Sequence, residues 1–152
     1  MSVQSVREFF AAKAPDIEVI ELDVSTATVD LAAAGHGVKP EQIAKTLAIR
    51  LGEEIVLVAA KGTARLDNKK FKARFSAKPR MLPLDEVERE TGHPVGGVCP
   101  FGLARPLKVF CDISLQPYDE VVPAAGGTNA AVRISPSRMA ELTDAQWIDV
   151  CE

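Results

Sequence analysis

The sequence predicts an α+β fold: a central sheet, mixed or mainly antiparallel, with short helices packed around it. Two observations point there. β-rich runs come in adjacent pairs, and helix-spaced segments fall between those pairs rather than after every strand. A third bounds the size. The chain has 152 residues with 47% apolar and 26% charged side chains, the make-up of one globular domain over residues 1–152 that buries roughly two thirds of its unfolded surface. No repeat, low-complexity tract or linker interrupts it.

Taken in order, Ser2 caps a first helix whose Val3, Val6, Phe9 and Phe10 recur at helical spacing, and Pro15 with Asp16 ends it. Ile17 to Val24 alternates as a strand, and Ser25 to Ala34 reads as a short helix closed by Gly35 and Gly37. Lys39, Pro40 and Glu41 open another helical turn, with Pro40 at its first position. Two apolar, partly β-branched runs follow, Thr46 to Leu51 and Ile55 to Ala60, joined by a hairpin turn at Gly52, Glu53 and Glu54. Asp67 caps a helix over Asn68 to Phe75, docked by Phe71 and Phe75 four residues apart. Arg80 to Leu82 is a short strand, and Leu84 to Thr91 an acidic helix stopped by Gly92. Leu107 to Ile113, Tyr118 to Pro123 and Ala130 to Ser135 are extended, with a glycine-bearing turn at Ala124 to Asn129. Ser135 and Pro136 start a last helix to Leu142, and Trp147 to Cys151 closes the chain as an extended segment.

Several function classes lack support. The longest apolar run, Ile55 to Ala60, is far short of a membrane span. The start, MSVQSVREFF, has no basic segment followed by an apolar stretch, so the expected location is the cytoplasm. Three cysteines, Cys99, Cys111 and Cys151, without Cys-x-x-Cys spacing argue against a disulfide framework and a zinc site. Neither the phosphate-loop nor the dinucleotide glycine pattern is present. The expectation is no metal and no cofactor.

Charge is uneven. Net charge is −3, yet Lys61 to Arg80 holds eight basic residues against one acid, Asp67, a local +7. Lys69, Lys70, Lys72 and Arg74 are spread over the helix here. They form either a solvated face or a surface that meets phosphates.

The chemistry centres on GHPVGGVCPFG, Gly92 to Gly102. Four glycines and two prolines in eleven residues make a shaped loop. It is either a structural turn or a site where the amides of Gly96, Gly97, Val98 and Cys99 converge on one developing oxyanion. Lys45, at the entry to an apolar strand, either snorkels to water or aims into a cleft. Cys99 is a candidate thiolate nucleophile, although neither His36 nor His93 is spaced from it as in a protease.

Five runs carry a resemblance: KTLAIR (Lys45 to Arg50), LDNKKFKARF (Leu66 to Phe75), TGHPVGGVCPFG (Thr91 to Gly102), PAAGGTNAAVRISP (Pro123 to Pro136) and the closing WIDVC. Together and in this order they resemble the YbaK/EbsC family, the free-standing relatives of the editing domain in bacterial prolyl-tRNA synthetases. The resemblance implies a deacylase acting in trans on mischarged tRNA, often tRNA(Pro) carrying a small wrong amino acid. Lys45 matches the family's activity-linked lysine, and Gly96 to Pro100 matches its G-x-x-x-P loop, making Lys45, Gly96, Gly97, Val98, Cys99 and Pro100 the implied catalytic set. Thr46, Phe101, Gly102 and the second turn, Gly126, Gly127, Thr128 and Asn129, are the implied substrate-binding set. That turn reads G-G-T-N here, where relatives carry histidine, serine or Arg-Gly, so amino-acid preference does not transfer. Lys69, Lys70, Lys72 and Arg74 would hold the acceptor stem, and a synthetase is a second expected partner. Two rivals stand beside this reading: a non-catalytic module that binds aminoacyl-tRNA or a synthetase, and a small-molecule hydrolase using Cys99.

Overall fold

The computed structural model describes residues 2–152. Helix α1 (Ser2–Lys13) buries Val6 and Phe10. Strand β1 is only Ile20–Glu21, shorter than the expected Ile17 to Val24, because its sole ladder partner is equally short. Helix α2 (Val29–His36) starts four residues later than its composition suggested. The Thr28 hydroxyl accepts from the Leu31 amide and caps it there, while the Thr26 amide is already engaged by the Thr128 carbonyl at 2.6 Å. It runs through Gly35 and stops at Gly37, which takes φ +68°.

After a 3₁₀ turn (Pro40–Gln42), strands β2 (Ile43–Leu51) and β3 (Glu54–Lys61) form the central hairpin across Gly52-Glu53. β2 begins three residues before the expected Thr46 because the Gly62 amide extends the ladder to the Ile43 carbonyl at 2.7 Å. Helix α3 (Asn68–Phe75), strand β4 (Arg80–Met81) and helix α4 (Leu84–Thr91) follow. The Asp67 carboxylate caps α3 by accepting from the Lys69 and Lys70 amides. Strand β5 (Lys108–Asp112), a 3₁₀ turn (Ile113–Leu115), strands β6 (Val122–Pro123) and β7 (Ala130–Ala131), helix α5 (Pro136–Leu142) and strand β8 (Gln146–Ile148) complete the order.

The main sheet is mixed. Its path is β4-β2-β3-β5-β8, with β3–β5 and β5–β8 parallel, and β6 adds a parallel pairing to β2. One face packs Ala44, Ala59 and Cys111 against α1 and α5, and Ala48, Leu57 and Val109 against Val87 of α4. The other packs Ile49, Val56, Val58 and Phe110 under Phe71 of α3.

One edge of β2 is shared by two short strands. β6 covers Ile43 and Ala44, and β4 covers Ile49 and Arg50. Between them the edge is open, and an apolar-walled cavity lies there.

Candidate active site

The cavity has a volume of about 470 Å³, and its walls are mostly apolar: Ile43, Ala48, Leu82, Val87, Val98 and Val122 among them. Its polar lining residues are Thr26, Thr28, Lys45 and Thr46; no carboxylate, histidine or cysteine borders it among the described residues. The Thr26 hydroxyl donates to the Thr128 carbonyl at 3.3 Å, and the Thr28 hydroxyl is spent capping α2. Thr46 differs from both. Its Oγ1 is buried with no hydrogen-bond partner among the described residues, an arrangement that costs about 1–3 kcal/mol unless something fills it.

Strand alternation accounts for Thr46 and corrects the expectation for Lys45. Ala44, Thr46 and Ala48 turn to the cavity face, so Lys45, Leu47 and Ile49 turn to the α3 face. The Lys45 ammonium donates there to the carbonyls of Gly62, at 3.2 Å, and Ala64. Burial lowers its pKa; the Cys151 thiol nearby opposes the shift and Arg65 adds to it. The lysine borders the cavity, but its amine is occupied behind the strand and does not stand across from the glycine loop.

The loop also divides its expected donors. His93 is fully buried and ties its base, with Nε2 donating to the Phe101 carbonyl at 2.7 Å. The Thr91 hydroxyl donates to the Val87 carbonyl and accepts from the His93 amide. Within that frame the Gly97 amide turns back to the Pro94 carbonyl at 2.9 Å, so it is not available to a ligand. Gly96 and Val98 line the cavity, and their amides have no partner among the described residues. Gly96 needs to be glycine: φ is +88°, and a Cβ would stand 2.8 Å from that of Ala27.

Cys99 and Pro100 leave the cavity for the core. Cys99 is fully buried, its Sγ 3.5 Å from His93 Nε2, and burial pushes the thiol up to about 12. A thiol so protonated is no nucleophile. Phe101 packs against Phe10 and Phe9 at ring distances of 4.7 and 5.6 Å, and the Gly102 carbonyl accepts from the Ser5 hydroxyl. Both are structural in this arrangement.

The second glycine turn supports the first. The Gly126 amide donates to the Gly97 carbonyl at 3.0 Å, and a Cβ on Gly97 would fall 2.7 Å from the Gly127 nitrogen. Thr128 and Asn129 bind the 22–26 segment through Thr26 and Leu22. None of the four lines the cavity; their neighbours Ala124 and Ala131 do.

The basic helix lies on the opposite face of the sheet. Lys70 binds Asp149 at 3.0 Å and the Cys151 carbonyl at 2.9 Å, and Arg74 binds Gln146 while its guanidinium lies 5.0 Å from the Phe75 ring centre. Lys69 and Lys72 are exposed.

The sequence reading missed the far walls: Thr26 to Val29, Met81 to Leu84, Val95 and Val122. Exposed Met81, Leu84 and Val95 (55%, 73% and 48%) all border the cavity. An exposed leucine at the first position of an acidic helix was the one available signal. Nothing in spacing links residue 27 to residue 96.

No helix among the described residues is long and apolar enough to cross a membrane. Comparison with known proteins agrees with the architecture. The model of the aminoacyl-tRNA editing domain matches residues 23–142. The Bacillus subtilis (strain 168) protein YwhH is 43% identical over 154 residues, which cover 100% of this chain and 98% of that one. The proline–tRNA ligase of Geobacter sp. (strain M21) is 34% identical over 105 residues, 68% of this chain but 18% of the ligase. A crystal structure described as a candidate trans-editing enzyme for prolyl tRNA synthetase superposes with TM-score 0.91 at 32% identity, covering 99% of this chain and 97% of that one. The chain belongs to the aminoacyl-tRNA editing domain family.

Proposed function

We propose that this protein hydrolyses, in trans, the ester of a mischarged tRNA, with tRNA(Pro) carrying a small wrong amino acid as the substrate. The observation that carries the reading is the open edge of β2. A buried unpaired Thr46 hydroxyl and the free amides of Gly96 and Val98 border one apolar cavity, in a chain of the editing family. The ligase relatives direct the choice of tRNA toward tRNA(Pro).

The ester of an aminoacyl-tRNA is already labile, so catalysis needs a polarised carbonyl and a placed water. The Gly96 and Val98 amides supply the first, and a fixed donor aimed at a developing oxyanion is worth about 10²–10³ in rate. With no acid or histidine on the walls, water is activated by the substrate, through the neighbouring ribose hydroxyl. Lys45 acts from behind: its ammonium fastens β2 to the Gly62 and Ala64 carbonyls and so sets the place of Thr46. It is a positioning residue here and does not touch the ester. The exposed Lys69 and Lys72 meet phosphates of the acceptor stem without reading sequence.

The same lack of an ionisable wall residue other than Lys45 favours a second reading, a module that holds aminoacyl-tRNA without turnover. A panel of mischarged tRNAs separates the two. Release of free amino acid from at least one ester, preserved in Cys99→Ser, supports the deacylase. Binding of tRNA with no ester cleaved leaves the module.

A further inference from the structure

The glycine loop is held in shape by a side chain that does not border the cavity. His93 stands near the start of the loop and Phe101 near its end, with His93 Nε2 2.7 Å from the Phe101 carbonyl. A carbonyl only accepts, so Nε2 carries the proton and Nδ1 is a bare lone pair. A second rung closes the neck of the loop, where the Ala104 amide donates to the Thr91 carbonyl at 3.1 Å. The ring is fully buried, and its Nδ1 has no hydrogen-bond partner among the described residues. A proton added there would place an N–H and a charge in the core with nothing to accept it. No neighbouring element offsets that charge. α4 turns Thr91 to the loop, while its Glu86 and Glu90 pair with Arg50, Arg89 and Arg105, and Asp85 and Glu88 are exposed. α1 meets Phe101 with Phe9 and Phe10, its Arg7, Glu8 and Lys13 being exposed, and the second turn, Gly126 to Asn129, carries no charge. The Cys99 thiol, 3.5 Å from Nε2, is the titratable group in contact, and it stays protonated. Burial lowers the pKa of His93, and the bond to the Phe101 carbonyl opposes the shift.

We infer that His93 is a positioning residue of the reaction: its uncharged ring clamps the loop so that the Gly96 and Val98 amides stay on the cavity, and protonation of Nδ1 releases them. The inference rests on the deacylase reading for the reaction it affects. It assigns acid inactivation to a histidine that lies outside the cavity walls. The two amides act on the developing oxyanion, so loss of the clamp lowers kcat and leaves KM nearly unchanged. A general base would behave differently. Removing a base lowers the rate wherever that base works, whereas a donor that does not titrate, set in place of His93, keeps the loop closed into acid.

The test titrates the ligand-free protein and the enzymatic rate in parallel. In wild type, the Gly96 and Val98 amide resonances in proton–nitrogen correlation spectra are expected to shift with the His93 imidazole, at a common midpoint below the ordinary 6.5. Below that midpoint kcat for the fastest-cleaved ester of the panel is expected to fall about tenfold per pH unit. His93→Leu fills the core without a donor and should lower kcat about a hundredfold at neutral pH. His93→Gln can donate to the Phe101 carbonyl and does not titrate, so it should restore most of that loss and remove the His93 share of the acid limb. A limb equally steep in His93→Gln overturns the inference and passes the titration to another group, such as the amine of the substrate. So do Gly96 and Val98 resonances that ignore the imidazole, or an imidazole that stays neutral until the whole chain unfolds. The wild-type spectra need no variant, so they decide the matter even where His93→Leu does not fold. Amides that follow the imidazole in a protein that cleaves no ester would keep the clamp and sink the deacylase reading; cleavage with indifferent amides would do the reverse.

Discussion

Lys45 and Thr46 are adjacent in the chain and end on opposite faces of one strand. Lys45 carries the charge, yet its ammonium is satisfied by two backbone carbonyls. Thr46 carries only a hydroxyl, buried without a partner and bordering the cavity. The two glycine turns repeat the contrast. Gly126 and Gly127 are consumed in holding Gly97, whereas the Gly96 and Val98 amides remain free beside the cavity. In both pairs the group already paired inside the protein builds the frame, and the unpaired one is left for a ligand. Residue type alone would rank the lysine first.

The largest effect is expected where frame and site touch. Gly97→Ala puts a methyl 2.7 Å from the Gly127 backbone, so the two turns must separate and the Gly96 and Val98 amides move. Ester cleavage should fall about a hundredfold. Gly127→Ala meets only the tip of the Val3 side chain and should cost much less. Comparable losses in the two would mean that the turns do not hold each other in register.

Next, Lys45→Met keeps the aliphatic stem and deletes the ammonium that two carbonyls require. Urea unfolding should show a loss of about 1–3 kcal/mol, against none for Thr46→Val. Unchanged stability in Lys45→Met, with cleavage abolished, would return the lysine to the reacting ester.

On the other face of the sheet, the double variant Lys69→Glu with Lys72→Glu should weaken tRNA binding and lower the salt slope by about two. Both side chains are exposed, whereas Lys70 is tied to Asp149 and Cys151, so its reversal would disturb the fold as well. An unaltered slope would make α3 a solvated face.

The smallest expected effect follows pH. Burial lowers the pKa of His93 below its ordinary 6.5, so the unfolded chain takes up this proton before the folded one does. The contribution of the neutral imidazole to stability is complete above 6.5 and is lost as the pH falls through that value toward the folded-state pKa. Burial, reinforced by Arg133, lowers the pKa of His36 in the same direction. His93→Gln can keep a donor toward the Phe101 carbonyl and should flatten part of this acid slope in denaturation curves; a slope as steep as wild type would exclude His93 as its source.

Local chemistry was legible at most places where neighbours in sequence are neighbours in space, the Thr28 cap on α2 excepted. The Asp67 cap on α3, the span Leu84–Thr91 ending at Gly92, the Ser135 cap on α5 and the Gly52-Glu53 hairpin all depend on contacts a few residues apart. The strand over Ile17 to Val24 was overextended because strand length depends on a partner, and β7, more than 100 residues away, offers only two residues. The start of β2 was misplaced for the same kind of reason, since the pairing of Ile43 with Gly62 lies outside any local pattern.

By itself the sequence determined the class of fold, the ends of α3, α4 and α5, the family and the stretch that would be a shaped loop, because glycine, proline and capping side chains act through the backbone next to them. Only the tertiary structure decided which groups face the cavity. It sent the Lys45 ammonium behind the strand, put Cys99 in the core, set the second turn to brace the first, and left Thr46 unpaired between two short strands. The physical reason is that a polar group is free or spent according to its hydrogen-bond partners, and the partners of Lys45, Thr26 and the second turn come from residues 17 to 107 positions away.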